Sequence, residues 1–484
     1  MALKDSLNLE VLKELFEKNA DVQFQEYTFN HYKVHIISCD QMVDVQLLNE
    51  VVIHRVQEVC SEIDGSDFES TLLKKLHIPD LQKIDEKEEL IKQVFKGSVL
   101  LYFEEQNVLL SSNLSNQPNR NPEESRMEMI VKGSRDNFIE DVTVNIALIR
   151  KRAPTNSLAV EKMELGKRTK TTVAILYFDD IANKEILEEI KGRIDKIDID
   201  IVFSGELLME KVNKFAPILP RNDYTGRADY ALQALVRGRF IILVDGVSYA
   251  IITPVNLFLL LKSGEDIEYP VVYSSMERLL RISGLMIGLL LPAFWLALTT
   301  FHQNQLPFQL LATVVQTNTG TPFPSVLEMI LMLFMFELFR EAGLRLPSVL
   351  GGTISVVGGL IIGDAAIRAG ITSPSMIVVI AISTISTFTL VNQSLVTSIS
   401  ILRIIFILVT SLLGLFGFFL VLYFTLLYVA NIRIFGVPYF NISANLSWAT
   451  VKKSLFRMKP SQYKERPKEL DPQDRTRTGA DYDS

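Results

Sequence analysis

Cysteine and histidine are scarce in this chain of 484 residues. The two cysteines, Cys39 and Cys60, are too few for a disulfide framework or a zinc site, and they fit a reducing compartment. The five histidines show no spacing typical of metal ligands, so we expect them to be structural. The sequence therefore predicts neither a metal site nor a cofactor.

Basic residues are also in the minority, and the formal net charge is −7. A nucleic-acid-binding protein needs a concentrated basic surface to neutralise phosphates, and the sequence shows none. A phosphate-binding loop is absent near Gly166-Lys167, because the required upstream glycine falls on Glu161 and the hydroxyl residue on Arg168. No arrangement of nucleophile, acid and base is recognisable, so the sequence does not predict an enzyme.

Charge of either sign is most depleted in one part of the chain. Hydrophobic residues make up an ordinary 48% of the sequence, yet the mean hydropathy is +0.23, which is high for a soluble protein. Only eight of the 49 basic and 56 acidic residues lie between positions 282 and 429. We therefore predict a soluble half followed by a membrane half.

The soluble half is predicted to contain two small α/β modules, at residues 1–111 and 127–275. In the first, 47–59 has helical spacing, whereas 32–38 and 99–103 are short runs typical of strands. Residues 112–126 are rich in turn formers and predict a linker. In the second module we expect a helix at 184–194 and strands at 172–178, 197–203 and 240–244.

The membrane half, residues 276–435, is predicted to be an all-α polytopic domain with four to five spans. The candidate spans are 283–301, 326–339, 349–369, 376–391 and 404–430, since a bilayer requires about 20 apolar residues per helix. The segment 306–315 is too short and is expected to be interfacial or re-entrant. A polar tail follows at 436–484, and we expect its end to be disordered.

The distribution of basic residues orients the spans. No signal-peptide pattern precedes the soluble half, and Arg278 and Arg281 precede the first span, so the soluble half is expected to be cytoplasmic. The basic residues of the tail also favour that side, which five full crossings cannot provide. Either one segment is re-entrant, leaving four crossings, or the tail is translocated; we favour the first alternative.

Three groups of polar or small residues interrupt the apolar segments. The first is a charge cluster at the membrane edge, and it could anchor a helix end, form a charged ring at a pore mouth or contact a partner. The second is a stripe of small residues spaced by four, and it could pack against another helix or border a conduit. The third is a hydroxyl-rich segment that could bond to its own helix or line water. The groups are, in order, Glu337, Arg340, Glu341 and Arg345; Gly351, Ser355, Gly359 and Gly363; and Ser383 and Thr387 with the hydroxyl residues around them.

Several motifs resemble the A subunits of GerA-type spore germinant receptors. They include Pro-Phe-Pro at 322–324, Glu-Leu-Phe-Arg-Glu-Ala-Gly-Leu-Arg-Leu-Pro at 337–347 and Val-Val-Gly-Gly-Leu-Ile-Ile-Gly-Asp-Ala-Ala at 356–366. Upstream, 138–152, 238–246 and 300–303 extend the resemblance, which covers about residues 125 to 435. The chain departs from the family pattern at Gly226, Ala228, Leu333, Asp364 and Val391.

The resemblance implies a subunit of a nutrient receptor in the spore inner membrane, with its soluble domain facing the spore core. It implies two partners, a transporter-like B subunit that binds the nutrient and a C-type lipoprotein, besides membrane lipid. It also implies that A subunits assemble as a homo-oligomer, expected to be a pentamer, into an ion channel that the nutrient opens. The alternative is a membrane transporter component without a sensory role.

A shared pore requires a helix with water-compatible groups on one face. The glycine-rich segment 349–369 is the preferred candidate, with an apolar constriction at Val356, Val357 or Leu360 as the gate and Asp364 near its outer end. The face with Ser383 and Thr387 is the alternative pore lining.

Overall fold

Two antiparallel sheets with flanking helices are followed by a helical region, as the sequence predicts. The computed structural model describes residues 8–62, 68–84, 86–116, 136–213, 218–318, 321–345, 363–441 and 448–477. The predicted gate residues Val356, Val357 and Leu360, and Gly351, Ser355 and Gly359 of the small-residue stripe, lie outside these ranges, as does the end of the tail.

The first module contains a five-stranded sheet with the order β1-β2-β4-β5-β3. Helices cover both of its faces, which explains why β4 reads as a continuous apolar run and is buried throughout. The predicted helix at 47–59 is present, with a π-helical segment at Leu48–Ile53 joining α2 and α3. The elements are α1 Leu9–Leu15, β1 Val22–Phe29, β2 Tyr32–Cys39, α2 Val45–Leu47, α3 His54–Glu62, α4 Phe68–Lys75, β3 Gln82–Lys83, α5 Lys87–Lys96, β4 Ser98–Phe103 and β5 Val108–Asn113.

The second module contains another five-stranded antiparallel sheet, with the order β6-β7-β9-β10-β8. The predicted strand at 197–203 is wrong. Its carbonyls at Ile199 and Asp200 accept hydrogen bonds from the turn at Lys167 and Arg168, so the segment caps the end of a hairpin instead of extending the sheet. The elements are α6 Val142–Arg152, β6 Leu158–Leu165, β7 Thr171–Phe178, α7 Lys184–Ile194, α8 Gly205–Asn213, β8 Asp223–Thr225, α9 Ala228–Val236, β9 Phe240–Val244, β10 Ala250–Thr253 and α10 Leu257–Leu260.

A buried ion pair joins the two modules. The guanidinium of Arg150 on α6 donates two hydrogen bonds of 2.8 Å to Asp21, and both side chains are almost fully buried. Arg150 also donates to the carbonyls of Thr155 and Leu158 and lies 4.1 Å from the ring centre of Phe95. One cation therefore connects the edge of the first sheet, helix α5 and the start of β6.

The helical region contains one helix of 30 residues, one of 21 and one of 39 that is interrupted at Gly414. Among the described residues, Val271–Thr300 and Gln393–Asn431 are long and apolar enough to cross a membrane. The helix within the predicted span 376–391 has only 14 residues, which rise about 21 Å, less than the roughly 30 Å of a hydrocarbon core. The elements are α11 Val271–Thr300, α12 Phe308–Asn318, α13 Ser325–Arg345, α14 Gly363–Arg368, α15 Pro374–Thr387, α16 Gln393–Asn431, β11 Arg433–Ile434, β12 Val437–Pro438 and α17 Trp448–Leu455.

The chain reverses direction within α16, at Gly414. This glycine has φ 61° and ψ −142°, a conformation open almost only to glycine. The rings of Phe406 and Phe418 lie 5.9 Å apart, whereas twelve residues of straight helix would separate them by about 18 Å. The predicted single span at 404–430 is therefore wrong. Residues 393–413 form a first arm, and 415–431 form a second arm that folds back along it.

Both ends of this helical hairpin lie at the second module. Asn392, which caps the first arm, donates to Asp223 of β8, and the carbonyl of Tyr439, beyond the second arm, accepts from Leu257. The hairpin tip at Gly414 lies against Phe301 and His302, at the far end of α11. The second arm thus returns the chain to the module.

The tail packs against the second module along most of its length. The amide of Gln473 donates to the carbonyl of Ile181, and Arg466 donates to the carbonyl of Val236. Asn256 donates to Glu469. The described part of the tail, residues 448–477, is therefore folded against the second module, with Leu470 in its hydrophobic core. The linker boundary also shifts, because Asn116 still donates to Met42 of the first module.

Candidate functional site in the helical region

A polar junction attaches the helical region to the second module. Asp266, which is buried before α11, accepts hydrogen bonds of 2.8 Å from both Arg278 and Arg281. These are the two arginines that we expect on the cytoplasmic side from the distribution of basic residues. Their ion pairs fix the base of α11 to the module, so a rotation of the module would act directly on this helix.

A second contact of the junction involves Asp223 at the start of β8. Its carboxylate accepts from Asn392, at 2.8 Å, and from the hydroxyl of Tyr230, at 3.0 Å. Burial raises the pKa of Asp223, and these hydrogen bonds oppose that rise. Nearby, residues 225–229 depart from the family pattern at Gly226 and Ala228. Arg227 and Asp229 still form a bidentate ion pair there.

Arg403 lies buried in the middle of the helical region. Its guanidinium donates to the hydroxyl of Ser383 on α15, at 3.0 Å, and to that of Ser400, at 3.4 Å. Within the described ranges its hydrogen-bond partners are thus neutral hydroxyls. A cation held in this way inside apolar helices is expensive to bury and is typical of ion pathways and gating elements. Sequence analysis used Arg403 only as a marker of topology.

The predicted charge cluster contributes to the same region. Arg340 forms an ion pair with Glu337, one turn earlier on α13, and also lies 3.5 Å from the hydroxyl of Ser400. Ser400 therefore lies between two arginines, Arg340 and Arg403. Glu341 lies on the exposed side of α13. The side chain of Arg345 lies outside the described residues.

Glu328 is a buried carboxylate at the other end of α13. It accepts from the backbone amide and hydroxyl of Ser373 and from the hydroxyl of Thr372, at 2.5 to 2.9 Å. Because Ser373 caps the N-terminus of α15, the carboxylate meets the positive end of that helix. Leu333, another departure from the family pattern, is buried one turn and a half further along α13.

The hydroxyl-rich segment packs closely against α11. Ser383 donates to the carbonyl of Gly288 at 2.9 Å, and Thr387 donates to its own helix. A Cβ at Gly284 would lie 2.6 Å from the carbonyl oxygen of Ser386, and one at Gly288 would lie 2.6 Å from the methyl carbon of Thr387. This placement favours helix packing over a water-lined face. Gly284 and Gly288 are spaced by four residues, as in the predicted stripe of small residues, but the sequence analysis did not single out this pair.

The part of the glycine-rich segment that the structure describes is its far end. Asp364 and Arg368 form an exposed ion pair on α14, with 2.8 Å between Oδ2 and Nε. Among the described residues, no atom lies within 4 Å of the position that a Cβ of Gly363 would take. Within the described residues, then, Asp364 has a cationic partner on its own helix.

The chain is similar to spore germination proteins over nearly its whole length. The family model described as "Bacillus/Clostridium GerA spore germination protein" matches residues 10–469. Spore germination protein XA of Bacillus anthracis is 38% identical, covering 99% of this chain and 98% of that protein. Spore germination protein KA of Bacillus subtilis (strain 168) is 30% identical, covering 98% and 88%.

Among solved structures, the chain resembles the N-terminal domain of the A subunit of the Bacillus megaterium spore germinant receptor GerK3. The TM-score is 0.40 at 23% identity, covering 51% of this chain and 92% of that domain.

Proposed function

Because the chain belongs to the GerA family of spore germination proteins, we propose that it is the A subunit of a nutrient germinant receptor that forms a ligand-gated ion channel. The channel is a homo-oligomer, with a pentamer as the expected state. It opens when a nutrient binds a partner subunit, and the resulting ion release starts germination. The partners are a transporter-like B subunit and a C-type lipoprotein.

The observation that carries this proposal is the buried cation Arg403 among hydroxyl groups. It lies in helices whose large apolar side chains are exposed on the outside, including Leu412, Phe416 and Tyr423. Such a polarity, apolar outside and charged inside, fits a helical region that lies in lipid and has a polar interior. The polar junction supports gating, because it connects the soluble module directly to α11 and α16.

The proposed topology has both the soluble modules and the tail on the core side of the spore inner membrane. The contacts of the tail with the second module support a common side. The chain leaves the second module along α11 and contacts it again at Asn392 and at Tyr439, which supports an even number of crossings.

The gate is proposed at Val356, Val357 or Leu360, in the glycine-rich segment. The engagement of Ser383 and Thr387 in the α11 contact supports this preference over the hydroxyl-rich face. Polar substitution in an apolar constriction favours its wetted, open state. Val356→Ser, Val357→Ser and Leu360→Ser should each be tested, with the B and C subunits present.

The experiment measures ion leakage from liposomes without nutrient. We expect at least one of the three variants to leak well above the wild type. The matched control is Val378→Ser, the same chemical change at an exposed position of α15, which should not leak. If all the variants insert normally and none leaks, the proposed gate is wrong.

A further inference from the structure

A cavity of about 540 Å³ opens where the second module, the base of α11, the β11–β12 hairpin and the tail segment meet. This volume is in the range of small-molecule sites. The cavity is separate from Arg403 and from the hydroxyl-rich segment. It contains none of the residues that the sequence singled out as a candidate site.

The lining of this cavity is strongly basic. Eight of its side chains are Arg or Lys, against two Glu. Three of the eight form ion pairs within the described residues: Arg278 with Asp266, Arg466 with Asp474 and Lys468 with Glu465.

The other five basic side chains have no ion pair in the part of the chain that is described: Arg237, Arg239, Lys262, Arg433 and Arg477. The remaining carboxylate, Glu469, accepts hydrogen bonds from the amides of Asn256 and Asn441. One carboxylate therefore faces five cations, and the cavity has a surplus of positive charge.

One of these five cations, Arg239, is buried by the fold itself. The residue is 2% exposed and donates one Nη1 hydrogen bond to the carbonyl of Pro254. Its Nε is buried and has no hydrogen-bond partner within the described ranges. A buried, charged donor without an acceptor is costly, and an anion in the cavity would remove that cost.

The surroundings of Lys262 are also strongly positive. Burial lowers the pKa of its amine to about 7, and the positive charges of Arg278, Arg237 and Arg239 lower it further, against the opposing effect of Glu469. The ammonium group therefore lacks sufficient negative charge nearby. Bound anionic charge would favour its protonated form.

We propose that this cavity binds a phosphate-class oxyanion, supplied either by a free anion or by the headgroup of an anionic lipid. Arginine forks and lysine ammonium groups are the usual ligands of such oxyanions. The lipid source fits the position of the cavity, because Arg278 lies in the first turns of α11 and Arg433 lies just beyond the second arm of α16. The free source fits the volume of the cavity and the burial of Arg239.

The experiment uses the full chain, purified in detergent and depleted of lipid, at constant ionic strength. Binding of inorganic phosphate and of pyrophosphate is measured by calorimetry. In a second arm, thermal stability is compared between nanodiscs of phosphatidylcholine alone and nanodiscs that also contain phosphatidylglycerol. Binding in the first arm identifies a free anion, and stabilisation confined to the second identifies a lipid headgroup.

Substitutions in the cavity test whether the anion binding or the stabilisation by lipid arises there. Lys262→Gln and Arg237→Gln should each weaken binding about tenfold, the loss expected for one charge-assisted hydrogen bond. Lys167→Gln, an equal change of charge at an exposed ion pair of the same module, should leave binding within about twofold of wild type. Retained binding in both cavity variants, or the lack of any response in either arm, would overturn the proposal.

The pH dependence gives an independent readout. Sulfate keeps its charge between pH 6 and 8, and Arg239, whose pKa burial lowers only to about 10, keeps its own. Lys262 loses its charge as the pH rises through about 7. Sulfate binding should therefore weaken from pH 6 to pH 8 in the wild type and be nearly constant in Lys262→Gln. An equal pH dependence in both proteins would contradict the assignment of Lys262.

Discussion

Removing the cation at the interface of the two modules should destabilise the soluble half strongly. Arg150→Met keeps most of the apolar length of the side chain but leaves Asp21 as a buried carboxylate without its bidentate partner. The carbonyl of Thr155 loses a donor as well. Breaking a buried pair from one side costs about 3–5 kcal/mol in the free energy of unfolding. For a region of this size, that corresponds to a fall of roughly 10 °C in melting temperature.

The assay is thermal unfolding of the purified full chain, with hydrogen exchange of α6 and β1 to locate the change. The control is Lys162→Met, which removes a less buried ion pair with Asp40 across the same interface and should cost less than about 1 kcal/mol. Adding Asp21→Leu to Arg150→Met should restore part of the loss, because no buried charge then remains unpaired. The reasoning fails if Arg150→Met costs no more than the control.

Three other predictions concern the helical region. Gly288→Leu should lower thermal stability and yield, because its Cβ alone would approach Thr387 to 2.6 Å, whereas Gly192→Ala, in open space on α7, should be neutral or stabilising. Glu328→Leu should destabilise the N-terminus of α15 by about 1–3 kcal/mol in thermal unfolding, and Glu328→Gln by less, since the amide still offers an acceptor. A cysteine at Gln305 should react with an impermeant thiol reagent added from outside, and one at Lys167 should not; the reverse labelling pattern would contradict the topology.

The sequence predicted the architecture of the soluble half well, because its strands carry strong local signals. The runs at 99–103 and 240–244 are β-rich and bounded by turn formers, and both are central strands. The segment 197–203 is also rich in β-branched residues and alternates isoleucine with aspartate, but its backbone bonds go to a turn. The local pattern alone cannot distinguish these cases, because the partner of a strand is a tertiary property.

The helical region was harder to predict, for a different reason. In a continuous apolar sequence, a glycine at which the chain reverses cannot be told from a glycine that packs against another helix. The sequence around Gly414 therefore did not predict the reversal. The polar composition of the tail gave no sign that its arginines, such as Arg466, donate hydrogen bonds to backbone carbonyls of the second module. The basic cavity was equally hidden, since its cations come from positions between 237 and 477 that only the fold brings together.

The most direct test of the central claim is nutrient-dependent ion flux through the reconstituted complex. Liposomes that contain this chain with its B and C partners are loaded with potassium, and efflux is recorded on addition of candidate nutrients. We expect a nutrient-triggered efflux that requires this chain and that occurs without nutrient in at least one of Val356→Ser, Val357→Ser and Leu360→Ser. If a complex that binds the nutrient shows no efflux, and the three variants insert but do not leak, this chain does not form the channel.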